Sequence, residues 1–398
     1  MFSSLKIRNF RIYWCGMFLS LIGTWIQMAA QSWLVFKLTN SELLLGVVGF
    51  LSTIPMFVLS LFGGVIADRV NKRSILFFTQ YAFMILAFVL AVWTQLKLIT
   101  PAQIMWIAVL NGVVMAFDAP VRQAIVVELV GREHLLNAIA LNSAAFNSAR
   151  ILGPVLAGIL IAAIGMSGCF YINGISFVAV IIALLLIRNI AVVKKNNKTV
   201  LLNDLLEGLR FIRDNRVILV LIIMAGITSL FGSSYMILMP VFASDVLKTG
   251  VKGLGLLMSS TGVGALFAAL TLARLGNFRH QGRFIILSSL IFSLALVLFS
   301  LSKSYLLSLI ILPLIGWSSV TAISLINNAL QILVPDEFRG RVMSVFMLTF
   351  AGIMPFGNLI AGASSQIWGV SFTVMLSGIM LFSFFISLNT WFPGIKKI

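Results

Sequence analysis

Gly63-Gly64-Val65-Ile66-Ala67-Asp68-Arg69-Val70-Asn71-Lys72-Arg73 is the stretch on which the reading of this chain turns. An apolar run at 42–67 leads into it and another at 75–97 follows it. Each run is long enough to cross a bilayer as a helix, which takes roughly 20 apolar residues. The few positions between them crowd together one acid, Asp68, and three bases, Arg69, Lys72 and Arg73. The two glycines let neighbouring helices approach closely. The segment reads as the tight polar turn of a transmembrane hairpin.

Further apolar runs lie at 12–38, 101–122, 138–165 and 167–188, then at 216–246, 250–274, 284–302, 305–328, 344–368 and 371–393. With the hairpin they predict twelve spans and an all-α integral membrane protein. The expected organisation is a six-helix bundle over 1–188, a cytoplasmic linker over 189–215 and a second six-helix bundle over 216–398. In the linker, Leu205, Leu209 and Ile212 share one face and Asp204, Glu207 and Arg210 lie elsewhere. That pattern predicts a short amphipathic helix at the membrane surface. Composition agrees: of 398 residues 60% are hydrophobic and only 10% charged, against ~25% charged in a soluble domain.

The net charge of +17 reports topology. With the N-terminus in the cytoplasm, 22 of the 28 lysines and arginines fall in cytoplasmic loops and termini. Only Lys37, Lys97, Lys248, Lys252 and Lys303 fall on the opposite side, and Arg150 alone lies inside a span. This is the bias that orients membrane proteins, and it removes the case for a nucleic-acid partner. Cys15 and Cys169 sit in apolar runs, and His134 and His280 lie far apart in sequence, so neither a disulfide framework nor a metal site is expected. The chain has no G-x-x-x-x-G-K-[ST] phosphate loop and no Ser-His-acid arrangement, so neither a nucleotide-driven pump nor an enzyme is expected, and no cofactor. The first apolar run is longer than a signal peptide and reads as a retained first span.

The two halves resemble each other. Shifted by 204 positions, LVGREHLLNAI at 129–139 lies over LVPDEFRGRVM at 333–343, and Gly153-Pro154-Val155-Leu156-Ala157-Gly158 lies over Gly357-Asn358-Leu359-Ile360-Ala361-Gly362. A duplicated six-helix unit is the internal symmetry of many secondary transporters, whose halves rock about a central site.

The 63–73 turn resembles the loop signature of the major facilitator superfamily. That resemblance implies twelve helices, alternating access and a cytoplasmic gate locked by Asp68 and Arg69. The matching loop of the second half, Ala273-Arg274-Leu275-Gly276-Asn277-Phe278-Arg279, has no acid. Within the superfamily, three stretches are similar to the exporter branch that includes the enterobactin exporter and drug-efflux proteins. They are Asn9-Phe10-Arg11-Ile12-Tyr13-Trp14 with Gly23-Thr24-Trp25-Ile26-Gln27, then Phe117-Asp118-Ala119-Pro120-Val121-Arg122-Gln123, then Asn137 through Pro154. The Gly153-Pro154-x-x-x-Gly158 run looks like the antiporter signature of drug exporters, and implies proton antiport. Its small residues suit tight helix packing, and its proline bends the helix.

Candidate functional residues follow from the cost of polar groups in lipid. Ser143, Asn147, Arg150 and Pro154 fall on one stripe of the fifth span. Arg150 reads either as a site for an anionic substrate group or as an arginine tied between helices. Asp118, with Arg122 four residues on, reads as part of the gate with Arg69 and Arg73, or as a proton carrier. Asp245 reads as an exposed loop acid. Thr24, Gln27 and Gln31 share a face of the first span with Ser20, and line either a cavity or a helix contact. Tyr235 and Asn327 are second-half candidates. The expected function is secondary active export of a small amphipathic molecule, a siderophore or drug-like compound, from the bacterial inner membrane, with protons and membrane lipids as partners and both termini cytoplasmic. The expected state is a monomer. The alternatives are a lysophospholipid or other lipid flippase on the same fold, and a nutrient symporter.

Overall fold

In a computed structural model of the chain, the described residues are 3–187, 201–276, 280–392 and 394–395; residues 60–69 and 201–205 are described by their backbone alone. Among them there is no strand. A short 3-10 turn, Ser3–Lys6, precedes α1 (Arg8–Thr39), α2 (Glu42–Arg69), α3 (Lys72–Gln95), α4 (Pro101–Val130) and α5 (Leu135–Leu186). The second half holds α6 (Leu201–Asp214), α7 (Arg216–Gly232), the short α8 (Ser234–Ile237) and α9 (Met239–Val241), a π-turn over Phe242–Val246, then α10 (Gly250–Leu275), α11 (Gln281–Leu301), α12 (Tyr305–Leu333), α13 (Asp336–Trp368) and α14 (Val370–Trp391).

Eleven described segments are long and apolar enough to cross a membrane. One of them, α5, has 52 residues. A straight helix of that length would run about 78 Å, more than twice the ~30 Å hydrocarbon core. Gly165 resolves this: its φ of 76° interrupts the helix, a conformation that glycine adopts without a β-carbon penalty. The arms on either side are the fifth and sixth spans, which makes twelve. The seventh span, a single apolar run in sequence, is broken at Ser233 and Leu238. The predicted hairpin turn is present but shorter than the 63–73 segment, since 63–69 close α2 and 72–73 open α3. Only Val70 and Asn71 separate α2 from α3, and the Asn71 side chain accepts a hydrogen bond from the Arg73 amide at 3.0 Å as N-cap. On the far side of the hairpin Thr100 and Gln103 form a reciprocal capping box that starts α4. Outward faces are apolar, with Phe78, Trp106, Ile175, Phe267 and Leu306 exposed, as a hydrocarbon solvent requires.

The described residues group into two compact units. One takes Met1–Asn40, Leu51–Asn197 and Val251–Ser259, and the other Ser41–Phe50, Lys198–Gly250 and Ser260–Ile398. Inside the first, α5 meets α10 through small residues. A β-carbon on Gly255 would collide with the Pro154 carbonyl and lie 3.3 Å from Gly158 Cα, and Ser259 Oγ donates to the Ile151 carbonyl at 2.6 Å. Inside the second, α2 meets α13 in the same way. A β-carbon on Gly46 would lie 2.6 Å from the Asn358 carbonyl oxygen and 2.9 Å from Gly362 Cα. The 204-residue shift carries 154 to 358 and 158 to 362, so the two contacts use equivalent positions of the fifth helix of each repeat.

The start of that fifth helix is also gripped twice. In the first repeat the Ser4 amide donates to Asn137 Oδ1 at 3.0 Å, and Ser4 Oγ donates to the His134 carbonyl at 3.0 Å. In the second repeat α6 packs on Phe338 and Arg341, the positions equivalent to 134 and 137. Phe211 stacks on Phe338 with ring centroids 4.5 Å apart. Glu207 pairs with Arg341 at 2.7 Å, and Gly208, equivalent to Ser4, lets α6 close on the Arg341 backbone. The amphipathic helix therefore exists, but its docked face carries Glu207, Gly208, Phe211 and the buried Ile212, while Leu209 points outward.

Candidate functional site

The polar groups of the first repeat gather at two levels. Near the hairpin, Asp118 on α4 is fully buried. Its Oδ1 accepts from Thr79 Oγ1 and Gln80 Nε2, both at 2.7 Å. Its Oδ2 accepts from Arg122 Nε at 2.8 Å and pairs with Nη2 at 2.6 Å. The (i, i+4) spacing on α4 puts acid and base on one face, and the guanidinium fork meets a single oxygen through two N–H groups. Arg122 also reaches Met17 Sδ on α1 at 3.0 Å. Phe10, Tyr13, Leu76, Val121 and Ile125 pack around this network, so donors must satisfy the carboxylate in place of water.

Arg73 does not join it. Its Nη2 donates to the Leu185 carbonyl at 3.3 Å, at the C-terminal end of α5 where a cation meets the negative end of the helix dipole. The side chains of Asp68 and Arg69 lie outside the described residues, so of the residues expected at the gate the structure brings together Asp118 and Arg122 and places Arg73 apart from them. The turn is held by a pair that sequence reasoning missed: Lys72 Nζ meets Glu128 Oε1 at 2.6 Å, with side chains only 12% and 6% exposed. Thr79, Gln80 and Glu128 were all visible as polar residues inside or beside apolar runs. That was the available signal, but nothing in one sequence says which acid meets which base.

The second level lies on the first arm of α5 and on α1. Ser143 and Asn147 sit at exposed and half-buried positions, with Asn147 Nδ2 donating to the Ser143 carbonyl at 2.9 Å. Arg150 is half-buried. Among the described residues it has no acidic partner, and its Nε is buried without a hydrogen bond. Gly153 faces α1, where a β-carbon would strike Trp25, and Pro154 and Gly158 face α10. The stripe on α1 divides. Thr24 is exposed and turns its hydroxyl to the Ser20 carbonyl at 2.8 Å. Gln27 is buried and accepts from Asn173 Nδ2 at 2.7 Å, so it serves a contact between α1 and the second arm of α5. Gln31 is half-buried.

In the second repeat Tyr235 is buried on α8, just past the break in the seventh span. Asn327 accepts from Gln331 Nε2 at 2.6 Å, and neighbouring Asn328 donates to Gln281 Oε1 at 3.0 Å. Asp245 is exposed, as expected, within the π-turn. Among the described residues no three histidine, cysteine or acidic groups gather as a metal site.

A buried ion-pair network at a polar hairpin, beside a mid-span arginine on a glycine-and-proline helix in a duplicated twelve-span chain, defines a secondary transporter of the major facilitator fold. The sequence profile of the transmembrane secretion effector family matches residues 1–397, and the chain belongs to that family of the major facilitator superfamily. It is 27% identical over 374 residues to a staphyloferrin A transporter of Staphylococcus aureus, covering 93% of this chain and 92% of that one. It is 25% identical over 335 residues to the enterobactin exporter EntS of Shigella boydii, covering 84% and 79%. To the multidrug efflux pump Tap of Mycolicibacterium fortuitum it is 23% identical over 363 residues, covering 89% and 88%. Among solved structures, a POT family transporter in complex with a thioalcohol-conjugated peptide superposes with a TM-score of 0.78 at 12% identity, over 98% of this chain and 97% of that one. That likeness is one of fold.

Proposed function

We propose that this protein exports a small amphipathic molecule of the siderophore class across the bacterial plasma membrane by alternating access, coupled to inward proton flow. The observation that carries the siderophore reading is the similarity to the staphyloferrin A transporter over 93% of the chain, and the enterobactin exporter adds the direction. Drug efflux is the second reading, favoured by the similarity to Tap. On this reading the bundles over 1–188 and 216–398 rock about a central site, both termini are cytoplasmic, and the protein works as a monomer. Asp68, Arg69, Arg73, Asp118 and Arg122 form the cytoplasmic gate. Asp118 serves there as an ion-pair anchor, since donors from α3 and α4 occupy both of its oxygens. Thr24, Gln31, Ser143, Asn147, Arg150, Tyr235 and Asn327 line the substrate path, and Gly153, Pro154 and Gly158 set the packing of the moving helices.

The test is mass spectrometry of medium and cells with and without the protein, in iron-starved and iron-replete growth. A metal-chelating metabolite held inside the cells when the protein is absent is the expected result. Export that persists after a protonophore collapses the gradient would remove proton coupling. Unchanged metabolite profiles together with dye retention in cells lacking the protein would replace siderophore by drug.

A further inference from the structure

Arg150 is an unusual expense for a membrane protein, a cation within a span with no acid beside it among the described residues. At about 100° per residue, its direction on α5 falls between that of Gly153, which faces α1, and those of Pro154 and Gly158, which face α10. Its side chain thus leaves the helix between two packed faces. Ser143 and Asn147 lie along the same line toward the start of α5. One turn along the α1-facing side, Phe146 meets Trp25 edge to face at 5.8 Å and is itself exposed.

We propose that Arg150 is the anchor of an oxyanion subsite, and that the transported molecule carries a carboxylate or comparable planar oxyanion next to an apolar or aromatic body. The buried Nε has no hydrogen-bond partner. That atom is closed to an arriving ligand, so the two terminal nitrogens of this half-buried side chain offer the N–H pair that binds a carboxylate bidentately, which a lysine cannot reproduce. The exposed ring of Phe146 gives the adjoining apolar contact. An anion arriving there supplies the counter-charge that no described residue provides, so the ligand completes the site. A symmetric site in the second repeat is absent, because position 354, equivalent to 150, is Met354.

The inference rests on the transporter reading above. It is tested by binding to purified protein with no gradient present, so that failure of export or coupling leaves the result intact. The probes are radiolabelled citrate and salicylate, with glucose as a neutral control. Both anions are expected to bind saturably to the wild type, and glucose is not. Arg150→Gln should weaken both anions at least tenfold. Arg150→Lys, which keeps the charge, should recover only part of that loss. Phe146→Ala should weaken salicylate more than citrate. Monodisperse elution at wild-type yield establishes that each variant is folded, with Arg150→Lys as the charge-preserving check should Arg150→Gln aggregate. Absence of saturable anion binding to the wild type, or equal affinity in wild type and Arg150→Lys, would overturn the proposal.

Discussion

The fifth helices of the two repeats, α5 and α13, share a frame and differ in chemistry. Both place glycines where a second helix crosses: Gly158 against Gly255, and Gly362 against Gly46. Both are gripped at their start by the segment that leads into the repeat's first long helix. Yet the position of Arg150 is Met354 in α13, that of Pro154 is Asn358, and on the fourth helix the position of Asp118 is Ala322. Packing has been kept in duplicate while the buried charge stands in one copy. The fold needs both frames to close, whereas a site for one ligand needs its charge only once.

The largest expected effect breaks the charged copy. Asp118→Ala strands a mostly buried Arg122 and should destabilise the protein by about 3–5 kcal/mol, read as thermal unfolding in detergent. Replacing both partners, Asp118→Leu with Arg122→Met, should recover most of that stability while abolishing transport if the pair serves the proposed gate. If the double variant is as unstable as the single one, the surrounding hydrogen bonds and not the pair carry the cost.

The shared frame is sharpened by leucine at each crossing. Gly158→Leu and Gly362→Leu should each cost roughly 1–3 kcal/mol by overpacking and depress transport alike. A large loss from one with none from the other would show that the repeats are not mechanically equivalent. Smaller still is the contact between α1 and α5. Gln27→Ala leaves the buried Asn173 amide without its acceptor, at about 1–3 kcal/mol, and a cycle with Asn173→Ala should reveal strong coupling. The smallest effect separates the two grips. Glu207→Arg should cost at most about 1 kcal/mol, because that pair is partly exposed (side chains 52% and 30%). Adding Arg341→Glu should restore it, whereas Ser4→Ala should cost a comparable amount with no swap able to rescue it.

Much of this was legible in the residues. Hydropathy placed most of the spans within a few positions, whereas α4 and α13 each run eight residues beyond the apolar runs at 101–122 and 344–368, and the duplication was visible without a structure. Gly165 divides α5 where the apolar runs at 138–165 and 167–188 divide. The seventh span reads as one run because hydropathy is blind to backbone breaks, although Gly232-Ser233-Ser234 and Pro240 were the clues. The expected face of α6 is met only in part, for a related reason: Ile212 is buried and Leu209 exposed, and the Leu205 side chain lies outside the described residues. Periodicity announces an apolar side but not its cover, and here Phe338 and Arg341 of α13 provide the cover in place of lipid alone. The partners of Asp118 and the Lys72–Glu128 pair were hidden because pairing is tertiary information. Gln27 shows the same limit, since an amide on a cavity stripe and an amide in a helix contact have one signature in sequence.

The grip of α6 on α13 has a consequence for how the chain can be assembled. Because α6 does for the second repeat what Ser4 does for the first, each repeat brings its own opening clasp. The glycine crossings of α2 with α13 and of α5 with α10 then hold one half to the other without help from the covalent link. Two polypeptides made separately, one ending at Ile187 and one beginning at Leu201, should find each other in the membrane and co-purify as a working pair.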